Sequence, residues 1–270
     1  AATAQQGGYA LSGYLDRLSH HPLESSISRL EGDDYPDAVG IALLMAYEQV
    51  LEQLRTEHPQ QERVAISLLD ALSLLAASGV PTHWLLRLDN DFDAVRNTLS
   101  FLKSASIFQE STDGDKTIIH RLQGHVYRET YLNNQKKLGE ARTCATTVLS
   151  GIDVDQRENV EQRRQETHHL IEQLLSVTSQ DYSHSLFSEP HVSLKLAETL
   201  HCATSLGMSQ MALTLTDSVT QACDTLGPHH PCILSPRSEL ARVYRASGRL
   251  DKAITLDKQN LEDSIRILGP

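Results

Sequence analysis

The sequence predicts a mainly α fold: a helical segment, then three short helices closed by a small β-hairpin, then helical hairpins in repeat. Three observations carry this. Apolar residues recur at helical spacing through most of the chain, the period changes once, near 107–120, and glycine-centred patterns return about 41 positions apart.

At 270 residues the chain has room for two or three domains and more than one hydrophobic core. Hydrophobic residues at 40% and charged residues at 22% indicate a folded chain rather than a disordered or fibrous one. The net charge of -11 argues against a surface built for phosphate contacts, so nucleic acid and anionic lipid are not the expected partners. Cys144, Cys202, Cys223 and Cys232 form no C-x-x-C pair and follow no secretory signal; they read as reduced core thiols of a cytoplasmic protein. The longest apolar run, Ile41 to Ala46, is far below the roughly 20 residues that span a bilayer, so no membrane anchor is expected. Ala1 to Gln6 carry no charged leader and read as a chain entered in mid-domain.

Residues 9–58 read as helices with breaks at His21-Pro22 and at Asp33-Asp34-Tyr35-Pro36, where an aspartate cap and a first-turn proline suit the unpaired amides. The next helix carries Val39, Leu43, Ala46, Val50 and Leu54 as its apolar stripe and ends at His58-Pro59. A second stripe, Val64, Leu68, Ala71, Leu72 and Leu75, stops at Gly79-Val80-Pro81. A short helix around Trp84 to Leu88 follows, and Asn90-Asp91 caps a third with Val95, Leu99 and Leu102 on one face. Ile107 to Glu110 and Thr117 to His120 are β-prone runs around Thr112-Asp113-Gly114-Asp115, which predicts a hairpin. Three compact helices and a hairpin form the winged-helix plan, placed at 59–130, with a helix leaving it near residue 121 and carrying Val126 and Tyr127.

Beyond residue 131 no β signal remains. Gly207 and Ala212 return 41 positions later as Gly248 and Ala253, and Leu226-Gly227-Pro228 returns 42 positions later as Leu268-Gly269-Pro270. Small Ala241 and Ala253 allow two antiparallel helices to approach, Tyr244 fills the space between them, and Gly248 permits the turn. One such hairpin cannot bury its own faces, so neighbours stack and offer a binding surface. Leu240 to Pro270 closely resembles a tetratricopeptide repeat of the kinesin-light-chain-like kind, and 196–231 resembles a second copy. These repeats span 191–270, and 131–190 reads as a helical linker or a degenerate repeat.

Three upstream stretches resemble the end of a bacterial STAND-type signalling ATPase of the NB-ARC class: Ala4 to Leu18, Gly32 to Val39, and Thr117 to Gly124, the last being similar to the Met-His-Asp segment that closes the family's winged helix. The resemblance makes 1–58 the helical remainder of the ATPase module. Arg121 stands where the family motif often has aspartate, and no G-x-x-x-x-G-K-[ST] loop occurs, so the chain has no phosphate cradle of its own and is not expected to hydrolyse ATP. ADP or ATP would belong to the full-length parent, on a domain preceding Ala1, and no cofactor is expected in this chain.

His120 is the leading candidate, since the resemblance implies that it reaches the β-phosphate of ADP in the closed, resting parent. The repeat-defining positions are Gly207, Ala212, Ala241, Tyr244, Gly248 and Ala253. The helix at 91–105 sets Arg96 and Lys103 against Asp91 and Asp93, and 60–130 carries seven Lys and Arg against nine Asp and Glu, a poor balance for DNA. Two Glu-x-x-His pairs, Glu166/His169 and Glu198/His201, have the spacing of a di-iron half-site but lack the two further inward glutamates; they read as solvated helix faces, with no metal. Ser100-x-x-Lys103 lacks companion motifs, His125 and His191 have no evident partners, and no catalytic site is expected. The functional expectation is a winged-helix relay coupled to a tetratricopeptide sensor that binds a protein or ligand. The alternatives are a repeat adaptor with a structural winged helix, and a DNA-binding transcription regulator.

Overall fold

The computed structural model describes residues 37–227 and 230–269. The helices and breaks expected before Asp37, the resembling segment Ala4 to Leu18, most of Gly32 to Val39, and Pro228-His229 lie outside the described residues. The described chain is mainly helical, with one small antiparallel sheet.

Helix α1 (Asp37–Glu57) runs into α2 (Pro59–Leu74), whose proline occupies the first turn, where no amide partner is lost. The buried face of α1 matches the expected stripe only in part: Val50 and Leu54 are buried as expected, but Leu44, Tyr47 and Leu51 are buried too, whereas Leu43 and Ala46 are only half-buried. Ile41 to Ala46 is apolar all round, so periodicity does not choose a face there. The large Tyr47 ring chooses it, meeting Tyr127 edge-on at 5.7 Å and Tyr131 at 6.5 Å.

Helix α2 buries Val64, Leu68, Ala71 and Leu72 as its spacing predicts, and packs against α1 and three later helices. Strand β1 (Val80–Pro81) follows, then α3 (Thr82–Leu85) with a 3-10 turn at Leu86–Leu88. Helix α4 (Phe92–Ser104) is capped by the Asp91 side chain, which accepts from the Ala94 amide at 2.9 Å, and it buries Val95, Leu99 and Leu102. Strands β2 (Phe108–Glu110) and β3 (Lys116–Ile119) form the expected hairpin, in the register Phe108 with Ile119 and Glu110 with Thr117. The sequence reading had no third strand. β1 pairs antiparallel with β3, giving the order β1-β3-β2. Two residues, one a proline, carry too little pattern to announce a strand, and the proline is tolerated because β1 lies at the edge.

Helix α5 (Arg121–Tyr131) leaves the sheet with Val126 and Tyr127 buried. Helices α6 (Gln135–Ser150) and α7 (Val160–Ser179) are each opened by an asparagine, Asn134 accepting from the Lys137 amide and Asn159 from the Gln162 amide. A 3-10 segment, Asp181–Ser188, leads to two hairpins: α8 (Pro190–Ser205) with α9 (Ser209–Ala212) and α10 (Thr216–Leu226), then α11 (Leu234–Ala246) with α12 (Leu250–Leu268).

The turns after α8 and α11 share a geometry. Gly207 and Gly248 adopt φ of 75° and 76° after α8 and α11, and the amide that follows each bonds back five residues, Met208 to Ala203 at 2.7 Å and Arg249 to Tyr244 at 2.8 Å. Ala212, Ala241 and Ala253 are all buried, and Tyr244 is 8% exposed. An ion pair that the sequence did not announce, Arg237 to Asp263 at 2.6 Å, ties α11 to α12 inside the hairpin. One contiguous apolar cluster runs from Leu44 to Ala253.

Candidate functional site

His120 follows β3 and caps α5. Its side chain is exposed, and its Nδ1 accepts a 3.3 Å hydrogen bond from the Leu122 amide, its one partner among the described residues. A nitrogen that accepts carries no proton, so the neutral ring holds its hydrogen on Nε2, free to donate outward.

The sheet-bearing unit meets α7 along a polar seam. Glu166 is 6% exposed, and its carboxylate accepts from His83 Nε2 at 2.7 Å and Trp84 Nε1 at 2.8 Å, with the Arg157 guanidinium alongside. Two turns further along α7, the Gln173 amide accepts from the Ala76 amide and donates to the Gly79 carbonyl, both at 2.9 Å. Lys116 on β3 pairs with Glu172 at 2.7 Å. Burial alone would raise the Glu166 carboxyl, but the hydrogen bonds from His83 and Trp84 and the Arg157 charge hold it below its ordinary value. A cleft of about 490 Å³ opens beside it, bordered by His83, Arg157 and His169.

This overturns the expectation that Glu166 and His169 lie on a solvated helix face. Glu166 is buried, and His169 is half-buried with its Nδ1 hidden and unpaired. The reason is largely long-range: two of the partners of Glu166, Trp84 and His83, are 82 and 83 positions away and have no trace in α7 itself. The single tryptophan was the one available signal, since a buried indole N–H requires an acceptor. Glu198 and His201 are exposed on α8 as expected.

His168, His169 and Glu172 bring donor atoms within 4.8 Å of one another, the one such group among the described residues. Lys116 already supplies the positive charge at Glu172. The cluster is therefore read as an ion pair flanked by imidazoles. Burial pushes the Cys144 and Cys202 thiols up to about 11, which leaves them poor nucleophiles at neutral pH. His125 is buried with its Nε2 unpaired, and Arg96 and Lys103 of α4 are held by Asp93 and Glu110.

A second hollow, of about 590 Å³, lies between α8, α11 and the loop joining α6 to α7. No helix among the described residues is long and apolar enough to cross a membrane. Compared with protein families, with curated proteins and with solved structures, the chain finds no match.

Proposed function

We propose that this chain is the relay and sensor part of a nucleotide-switched signalling protein. In this reading α2 to β3 form a winged helix, α8 to α12 form tetratricopeptide repeats that bind a protein or ligand, and α7 couples the two. The order helix, strand, helix, helix, strand, strand and the sheet order β1-β3-β2 support the winged-helix assignment. The paired αL glycines 41 positions apart support the repeat assignment. The observation that carries the relay is the seam, because Glu166 and Gln173 bind side chains and backbone on both flanks of β1 and leave the sheet unit little freedom to move apart from α7.

The reading includes a cytoplasmic location and no catalysis by this chain. ADP or ATP would be held by the parent's nucleotide domain, against which exposed His120 would rest in the closed state. Replacing His120 by alanine in the parent should lower ADP affinity by about tenfold and raise basal output, as loss of one hydrogen bond to a charged group implies. Unchanged ADP affinity and output would refute the role of His120. Micromolar ADP binding by the present chain alone, in calorimetric titration, would refute the assignment of the nucleotide to another domain. Direct DNA reading is disfavoured because both cations of α4 are engaged by carboxylates.

A further inference from the structure

We infer that the outer face of α12 pairs with the α12 of a second copy of this chain, antiparallel, about a two-fold axis. The inference goes beyond the relay and sensor reading and stands on the residues of this one helix.

Periodicity is the first ground. Asn260 and Asp263 turn inward, to the Leu234 carbonyl and to Arg237 of α11. A second set, Leu250, Ile254, Leu261, Ile265 and Leu268, recurs at spacings of four, seven, four and three, so it lies along another side of the helix. Each of the five is more than half exposed, and together they are the majority of the nine large apolar side chains exposed among the described residues. At 1.5 Å per residue the strip runs about 27 Å, a contact surface rather than scattered exposure. Asp257, the polar position inside it, is already paired with Arg245 of α11. Forty-one positions earlier, at the spacing that relates Gly207 to Gly248 and Ala212 to Ala253, Leu261 and Ile265 correspond to Thr220 and Asp224 of α10. Both stay exposed although α11 follows them, so stacking of successive helices is not what Leu261 and Ile265 serve.

Charge chooses the occupant. Lys258 and Glu262 stand one turn apart on the same flank of the strip, both exposed, and neither joins an ion pair among the described residues. Gln259, the midpoint of the strip, falls between them. When two identical helices meet antiparallel about a two-fold axis, each flank faces its own counterpart. With the axis close to that midpoint, Lys258 of one copy stands opposite Glu262 of the other, and the contact is made twice. The apolar residues match in the same arrangement, Leu250 coming near Leu268 of the other copy and Ile254 near Ile265. Two such strips pressed together remove on the order of 1,000 Å² from water, at the lower edge of specific interfaces, so the dimer should be weak, of micromolar affinity.

The test is sedimentation-velocity ultracentrifugation of the whole chain across the micromolar range. The wild-type chain should pass from monomer to dimer and no further. Ile265→Lys, at an exposed position with little bearing on folding, should leave a monomer, whereas Leu194→Lys, at an exposed leucine of α8, should leave the dimer unchanged. Lys258→Glu sets like charges opposite one another and should weaken the dimer about tenfold, and adding Glu262→Lys should return the affinity to within about threefold of wild type. A wild-type chain that stays monomeric would overturn the inference and leave the strip to a different protein. Association lost equally in Leu194→Lys and Ile265→Lys would overturn it by showing general stickiness. A double variant no tighter than Lys258→Glu alone would overturn the antiparallel register.

Discussion

Asp70 is 5% exposed on α2, and the Tyr127 hydroxyl donates to its Oδ1 at 2.7 Å. Burial raises its carboxyl from 3.8 to about 6, a shift that the Tyr127 hydrogen bond moderates. A group whose pKa is raised on folding contributes stability below its unfolded value and loses it as pH rises through the folded one. The chain should therefore lose about 2 to 3 kcal/mol from this group between pH 4 and pH 6. Asp70→Asn keeps an acceptor for Tyr127 and removes the titration. Its melting temperature should match wild type near pH 4 and exceed it near pH 7, whereas a constant difference across that range would contradict the assignment. Glu166 behaves oppositely. Glu166→Ala leaves the Trp84 N–H and the Arg157 charge without their acceptor inside the seam, and urea unfolding should report a loss of about 3 kcal/mol; a loss below about 0.5 kcal/mol would show that the seam is slack.

Among the elements, two glycines separate strain from space. Gly248 has φ of 76°, and a Cβ there would meet nothing within 4 Å, so Gly248→Ala should cost about 1 kcal/mol for the left-handed backbone alone. Gly79 has φ of 103°, and its Cβ would stand 2.7 Å from Ile118 Cγ1 and 3.0 Å from Lys116 Cβ, against the strand that β1 pairs with. Gly79→Ala should cost about 3 kcal/mol or more, and thermal melts giving equal losses at the two sites would contradict the close approach. Ala253→Leu should overpack α11 against α12 by about 1 to 3 kcal/mol, and an unchanged melting temperature would place Ala253 outside that contact.

The same elements show what the sequence made legible. Stripes on α2 and α4, the Asp91 cap, the β2-β3 turn and the spaced glycines are local signals, each contained within a few residues. β1 is too short to carry a period, and α1 is apolar on too many sides to name its buried one. The places of His120 after β3 and of Gly207 and Gly248 in helix-to-helix turns were legible because each sits in a local motif. The seam was not, because Glu166 and Gln173 find partners more than 80 positions away, and nothing in an i to i+4 pattern records such a pairing.

At the scale of the whole molecule, a relay requires that the sheet unit and the helical array respond together. The continuous apolar cluster and the polar seam both predict a single cooperative unit. Trp84, the sole tryptophan, is fully buried with its N–H on Glu166, so its fluorescence reports the seam while far-ultraviolet circular dichroism reports the helices. Urea unfolding followed by both probes tests the coupling most directly. The two curves should coincide in the wild-type chain and separate in the double variant Glu166→Ala, Gln173→Ala, with the tryptophan transition moving to lower urea. Separate transitions in the wild-type chain, or coincident ones in the double variant, would contradict a relay held together by this seam.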